Sequence, residues 1–478
     1  MSTPVVLRLR PVAADRFIVP LDGVAAVDPK RVGPKAANLT ALGRAGLPTP
    51  GGFCLTADAY LAQVMALGLE DMVTQFAAAD PRKQRRLAVE IRLALYEQPI
   101  VPEILEPLCD AWNAQRVANR KPCAVRSSAL IEDRKGANFA GQFESFLGID
   151  DEAAFLTAVR ACWAALWTTN ARRYMDNHGL SPAGTAMAVL VQPLVEARAS
   201  GGGLSENPEG QIVLSATWGL GSTIAQGEVV PDRIVLTRQG FLRTNEAGRK
   251  HHRDMCGHRA NEVASGLANG AANGRSGVGP QATPRELVDK PCLGASEAVT
   301  LGRMLRKAEA VFGMPIEIEW ALDDSGFKLL QARPLPSPHP PPQAREGNQE
   351  HPPLPEGEGR VGSVPDEIWL KHPRLNGHPA GIGWGSGRAV VVNCECELTR
   401  AAPGDILVTR VAGPALSHVL PRVAGVVTER GGSTSHLASL ARERGIPMVL
   451  GVRDATRKIP DGAQVAVDGI VGIVRWMS

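Results

Sequence analysis

The segment Gly431-Gly432-Ser433-Thr434-Ser435-His436 sets an imidazole directly behind small hydroxyl residues. Val426 to Thr428 reads as a strand, and the two glycines permit a sharp turn. Ser433, Thr434 or Ser435 can cap a helix running through Leu437 to Arg444, which Gly445 and Pro447 stop. His436 therefore falls in the first helical turn, where free N–H groups and the helix dipole favour an anion. A ring in that place either serves the cap structurally or carries a phosphoryl group whose charge its surroundings stabilise. A second constellation is Glu317-Ile318-Glu319-Trp320 with Gln331-Ala332-Arg333-Pro334, joined through Asp323-Asp324-Ser325-Gly326. It reads as a β-hairpin. Alternation sets Glu317 and Glu319 on one face, and Gln331 and Arg333 share a face of the return strand. Two carboxylates with a neutral amide suit magnesium, a hard cation that takes oxygen ligands and keeps phosphate oxygens in its shell. The same four residues also suit an ion-paired surface hairpin.

Other candidate groups carry less. His251, His252, Cys256 and His258 have ligand chemistry without the spacing of a structural zinc site. Cys394-Glu395-Cys396 lacks the two-residue gap of a redox or zinc knuckle and reads as an incidental strand or turn.

The elements that position these residues belong to a mixed chain. Asp151 to Gly179 reads as one long amphipathic helix or two in tandem, with Ala154, Phe155, Ala158, Val159, Cys162, Trp163 and Leu166 recurring at threes and fours. Trp163 and Trp167 are expected in its core contact. Strands are expected at 186–191, 212–216, 316–321 and 328–332, then at 387–392, 405–409, 425–428 and 465–467 with helices between. Residues 336–365 hold nine prolines and four glycines, too little apolar surface to fold, and read as a tether or a disordered loop. Residues 260–284, rich in Ala, Gly and Asn, read as a mobile surface loop.

Composition bounds the function. The 478 residues suit roughly two to four domains. The 52 basic and 49 acidic side chains leave a net charge of +3, which argues against a dedicated nucleic-acid or membrane-surface protein. No apolar run approaches a membrane span, and the first ten residues lack a secretory core. Eight cysteines over this length make no disulfide framework, so reduced thiols in a cytoplasmic protein are expected.

The run from Gly431 to Ala438, with Ala441-Arg442-Glu443 and Gly445-Ile446-Pro447 after it, resembles the swivelling phosphohistidine domain of the phosphoenolpyruvate-utilising enzymes. Gly404-Asp405-Ile406-Leu407-Val408 matches the strand that opens that domain, and Asp461-Gly462 with Val467-Asp468-Gly469 its closing hairpin. Gly33-Pro34-Lys35-Ala36-Ala37-Asn38-Leu39 and Pro50-Gly51-Gly52-Phe53 resemble the opening of the ATP-grasp domain in pyruvate phosphate dikinase and phosphoenolpyruvate synthase. Ala124-Val125-Arg126-Ser127-Ser128-Ala129, Glu132-Asp133, Phe139-Ala140-Gly141-Gln142 and Ser145-Phe146-Leu147 continue it, as do Gln192-Pro193-Leu194-Val195 and Trp218-Gly219-Leu220-Gly221. Pro34 stands where relatives often have glycine, and Ser222 where the synthase has glutamate.

The resemblance implies an α/β (α+β) protein: an ATP-grasp nucleotide-binding domain over 1–335, a flexible linker over 336–365 and a swivelling phosphohistidine domain over 366–478. It implies ATP held by Lys35, Arg126, Gly141, Ser145, Gln192, Glu319, Gln331 and Arg333, with Mg2+ on Glu317, Glu319 and Gln331. A guanidinium at Arg126 suits phosphate because its fork of donors matches the oxygens, and Gly141 and Ser145 let backbone N–H groups approach the anion. The implied reaction is a dikinase-type transfer of the ATP β-phosphate to His436, with release of AMP, and then to an acceptor. Thr434 falls where some relatives carry regulatory phosphorylation. The family's pyruvate- or phosphoenolpyruvate-binding barrel normally follows the histidine domain, and the 42 residues beyond His436 leave no room for one. A small-molecule acceptor on a separate subunit is therefore expected. The alternatives are a phosphohistidine carrier or regulatory subunit, a rifampicin-phosphotransferase-like enzyme without its acceptor domain, and a nucleotide sensor without transfer chemistry. Attack requires a neutral imidazole, so an ordinary His436 predicts labelling that falls on the acid side of a pKa near about 6 to 7.

Overall fold

The computed structural model describes residues 16–132, 139–256, 278–335, 369 and 371–477. The expected linker 336–365 lies outside the described residues, as do Asp133 and His258. Strands β1 (Ile18–Pro20), β2 (Phe53–Leu55), β3 (Cys123–Ala129), β4 (Ser145–Ile149) and β5 (Met187–Pro193) form an antiparallel sheet in the order β1-β2-β5-β3-β4. Onto it packs the first of two tandem helices, Glu152–Ala165, burying Phe155, Ala158, Val159, Cys162 and Trp163. Thr168 caps the second, Thr169–Asp176. Trp167 is buried too, its indole N–H donating to the Tyr60 hydroxyl at 2.8 Å.

Strands β6 (Ala199–Leu204), β7 (Ile212–Trp218), β8 (Asp232–Leu236) and β9 (Leu242–Glu246) belong to a second antiparallel sheet. β10 (His252–Cys256) pairs with β11 (Val278–Ala282), and β12 (Ile316–Asp323) with β13 (Gly326–Pro334) extends the second sheet to the order β13-β12-β6-β7-β8-β9. The Ala295–Phe312 helix covers it with Ala298, Leu301, Leu305 and Ala308, a spacing of threes and fours. The expectation of a mobile loop over 260–284 is corrected at its end. Residues 278–282 are a strand, because β10 requires a partner for its backbone groups.

The C-terminal part is built on β14 (Arg374–Asn376), β15 (His378–Pro379), β16 (Trp384–Val392), β17 (Ile406–Thr409), β18 (Gly425–Thr428), β19 (Met448–Leu450), β20 (Gln464–Asp468) and β21 (Ile473–Met477). The long β16 pairs antiparallel with β20 through its first half and parallel with β17 through its second. β17 and β18 are buried along their whole length, as suits parallel strands covered on both faces. The histidine helix, His436–Arg444, is the crossover between parallel β18 and β19. Its N-terminus therefore opens beyond the carboxyl ends of these strands, the usual ligand position in such sheets.

Two expectations about cysteines and membranes meet the structure here. Cys394 and Cys396 are joined in a disulfide, which corrects the expectation of reduced thiols throughout; the Cα separation of 5.4 Å shows that one intervening residue brings the pair within bonding range. The other six cysteines are free. Among the described residues no helix is long and apolar enough to cross a membrane.

Candidate functional site

Ser435, not Ser433 or Thr434, caps the histidine helix, accepting from the Ala438 amide at 3.3 Å. Gly445, at φ +65°, ends it. His436 is thus the first helical residue, half-buried, with its ring against the loop that precedes β4. A Cβ placed on Gly141, whose φ is +68°, would lie 2.8 Å from His436 Nδ1, so only glycine lets this loop and the ring come so close. Burial pushes the His436 pKa down to about 4, with Arg333 and Lys35 acting the same way against Glu319 and Glu317. The ring is neutral at ordinary pH, and the expected acid limb near 6 to 7 is corrected downward. The physical reason is desolvation on docking, a tertiary effect that no local motif carries.

Lys35 is placed by a kink. Gly33, at φ +73°, interrupts the Pro29–Arg44 helix where a Cβ would strike Ser128 Oγ at 2.3 Å. Pro34 then opens the following turn, a position where its missing N–H costs nothing. This aims Lys35 Nζ at the Ser127 carbonyl, 2.8 Å away, and at Glu132, 3.0 Å away. Arg126 on β3 donates through Nη2 to Glu319 at 2.8 Å and to the Gln331 side-chain oxygen at 2.9 Å, and through Nη1 to the Leu330 carbonyl at 3.2 Å. The hairpin register sets Glu317 opposite Arg333 and Glu319 opposite Gln331. Burial by itself raises the Glu319 pKa, but Arg126 outweighs it and holds the carboxyl down to about 2. Ser145 lies opposite Arg126 on β4. Gln192 is buried on β5 opposite Ala124, its amide donating to the Gly51 carbonyl at 3.5 Å.

Glu317 faces a different set of partners. Its Oε2 accepts from Arg333 at 2.9 and 3.1 Å, from Ser439 Oγ at 3.2 Å and from Arg442 at 3.3 Å. Ser439 and Arg442 lie on the histidine helix, so this ion cluster bridges the N-terminal sheets and the C-terminal part. The docked face continues elsewhere. The Gly431 amide donates to the Val229 carbonyl at 2.9 Å, and Arg249 donates to the Gly451 carbonyl at 3.3 Å. A Cβ on Gly202 would lie 2.5 Å from Thr434 Cβ, and one on Gly432 2.3 Å from Pro231.

A phosphate-friendly helix terminus docked on a cluster of cationic and amide side chains agrees with the comparisons to known proteins. Residues 29–350 match the family described as pyruvate phosphate dikinase, AMP/ATP-binding domain. The chain belongs to this family. Residues 401–472 match the family described as PEP-utilising enzyme, mobile domain. The phosphoenolpyruvate synthase of Aeropyrum pernix is 32% identical over 486 residues, covering 96% of this chain and 58% of that one. That of Pyrococcus furiosus is 29% identical over 506 residues, covering 96% and 59%, and that of Escherichia coli 31% over 458 residues, covering 92% and 55%. The chain spans less than two thirds of the length of these curated relatives.

Within this member of the pyruvate phosphate dikinase AMP/ATP-binding family, the arrangement brings Lys35, Arg126, Gly141, Glu319, Gln331, Arg333 and His436 together. In the docked arrangement two arginines and a serine occupy Oε2 of Glu317. The oxygens of Glu319 and Gln331 do converge, both within 2.9 Å of one Arg126 nitrogen, and their chemistry fits a hard cation. Ser222 donates to Asp254 rather than facing the cluster, and His252 pairs with Glu228 at 3.0 Å. Sequence reasoning gave no role to Ser439, Arg442, Glu443, Tyr174 or His178. Arg442 and Glu443 stand inside the matching motif, and that was the one signal pointing toward them.

Proposed function

We propose that this chain performs ATP-dependent phosphoryl transfer through a phosphohistidine at His436. Neutral His436 attacks the β-phosphorus of ATP in line. The new N–P bond replaces the bridging P–O bond to the α-phosphate, and AMP leaves with the bridging oxygen. Transfer of the terminal phosphoryl group to water or inorganic phosphate then leaves phosphohistidine for a small-molecule acceptor bound by a separate subunit. Lys35, Arg126 and Arg333 would balance the triphosphate charge, with Gly141 and Ser145 offering backbone N–H groups and Gln192 the adenine edge. Glu319 and Gln331 would hold Mg2+, which neutralises phosphate oxygens when bound. The division into 1–335, 336–365 and 366–478 belongs to this reading.

The observation that carries it is the seat of His436: first in its helix, uncharged, against Gly141 and among Lys35, Glu319 and Arg333. Incubation with ATP labelled separately at the β- and γ-phosphates tests it. Stable protein-bound β-label with equimolar AMP is expected, and release of ADP without bound label would refute it.

Two further outcomes follow from the same contact. While the ring stays docked it resists protonation, so acid opposes labelling only below a pKa of about 4. Initial labelling rates at pH about 5 and about 7 should agree within roughly threefold, whereas an ordinary histidine at about 6.5 would lose most of its rate at the lower pH. Gly141→Ala adds a carbon 2.8 Å from Nδ1 at a strained φ. An overpacking cost of about 1–3 kcal/mol predicts labelling slowed by roughly tenfold or more, with ATP affinity measured by calorimetry changed far less.

A further inference from the structure

The Thr169–Asp176 helix ends beside the last turn of the histidine helix, and a cluster separate from the nucleotide site joins the two. The Tyr174 hydroxyl donates to Glu443, whose two carboxylate oxygens lie 2.7 and 2.8 Å away. The same hydroxyl oxygen accepts from the Phe139 amide at 3.3 Å. His178 Nδ1 lies 2.7 Å from the Tyr174 carbonyl, and its Nε2 lies 3.2 Å from Glu443 Oε1. Both ring nitrogens therefore face oxygens that only accept. A neutral imidazole carries one N–H and would turn a lone pair toward one of them; the imidazolium satisfies both.

The surroundings agree with that protonation state. The bond to Glu443 raises the His178 pKa against the opposing pull of burial, the Tyr174 carbonyl adds to the rise, and Arg444 works against it. Burial and the neighbouring Glu443 push the Tyr174 phenol up, so it stays a neutral donor. Glu443 has only 2% of its side chain exposed, so its charge would be costly to leave without a cation. Phe139 makes the third connection. Its φ of +54° is one that non-glycine residues rarely adopt, and its ring packs on Tyr174 and Phe143 at 4.5 and 5.4 Å. Two residues later the same loop meets His436 at Gly141.

We propose that protonated His178, with Tyr174 and Glu443, is an interdomain latch that positions His436 by fastening both its helix and the 139–142 loop to the same point. The inference rests on the phosphotransfer reading for its purpose and on this geometry for its existence. These are positioning residues, since none touches the nucleotide cluster. The sign follows from the raised pKa. The latch contributes fully below the ordinary histidine value of about 6.5 and is lost as pH rises through the higher docked value.

Hydrogen exchange on the full chain without nucleotide reads the latch directly. The Gly431 amide crosses the interface and the Phe139 amide bonds within the cluster. After correction for intrinsic rates, both should exchange about tenfold faster at pH about 9 than at pH about 6, the loss of one charge-assisted contact. His178→Lys should keep protection across that range. His178→Phe and Glu443→Gln should show the faster rate throughout, with amides inside β5 unchanged, which separates an open latch from a loosened fold. A parent profile without the step, or His178→Phe exchanging like the parent at pH about 6, would overturn the proposal. Labelling by ATP is scored separately. A parent that shows the step but takes no label refutes the phosphotransfer reading while leaving the latch supported.

Discussion

Replacing His436 with alanine is expected to remove protein-bound β-label from ATP, by a factor on the order of 10^4 or to the limit of detection. A covalent nucleophile has no substitute, because the remaining groups can only stabilise charge around an atom that is no longer there. The neighbours reinforce this. Lys35 and Arg126 carry cationic heads that do not attack phosphorus at neutral pH, and Ser439 Oγ is bonded to Glu317 and Arg333. His436→Asn is the stricter variant, since it keeps a polar planar group at the helix start while removing the reactive nitrogen. ATP affinity should hold within about threefold in both variants, because the proposed phosphate ligands lie on other elements. Label at parental levels in either variant would remove His436 from the reaction.

The reach of the sequence differs among these residues for physical reasons. The hairpin and the shared face of Glu317 and Glu319 were legible because alternation and the turn at Asp323–Gly326 are local properties. The turn alone would set Glu319 opposite Leu330; the pairs Glu319 with Gln331 and Glu317 with Arg333 depend on an irregularity further along the strand. The histidine helix was equally legible, since hydroxyl residues before it and Gly445 after it are local signals. The register shift after Glu319 left no such mark. Nor did the partners of Glu317, because Ser439 and Arg442 lie 122 and 125 residues away and meet it only when the two parts dock. Tyr174 and Glu443 are separated by 269 residues, and no periodicity relates them. The His436 pKa belongs to the same class, since it depends on what covers the ring.

Docking also changes what the hairpin carboxylates mean. Both read alike in the sequence, yet Glu319 is turned toward Arg126 and the phosphate loop, while Glu317 is turned toward the helix that bears the histidine. One strand thus serves two tasks through neighbouring positions on one face. In the proposed reading Glu319 would serve the nucleotide chemistry, and Glu317 would hold the docked histidine helix. The Arg333 guanidinium, bonded to Glu317 and Ser439, links the two.

Arg126→Lys should therefore be far from conservative. The guanidinium reaches Glu319, Gln331 and the Leu330 carbonyl simultaneously through a planar fork; an ammonium is a point charge on a flexible stem and cannot hold all three. Losing a preorganised cationic donor near the transferred group predicts labelling slower by roughly 10^2–10^3. A second signature distinguishes this from simple loss of binding. Glu319 is held down to about 2 chiefly by Arg126 against its own burial. With that cation held less closely, the carboxyl rises from its depressed value toward the ordinary one of about 4.3. Stability contributed by the depressed carboxylate is present above the ordinary value and lost as pH falls through the depressed one. The variant should therefore lose labelling and thermal stability at a higher pH than the parent as acid is added. Rates and melting temperatures between pH about 3 and 7 measure both. A lysine variant that labels within twofold of the parent, with the same acid limb, would show that Arg126 neither organises Glu319 nor meets the phosphates.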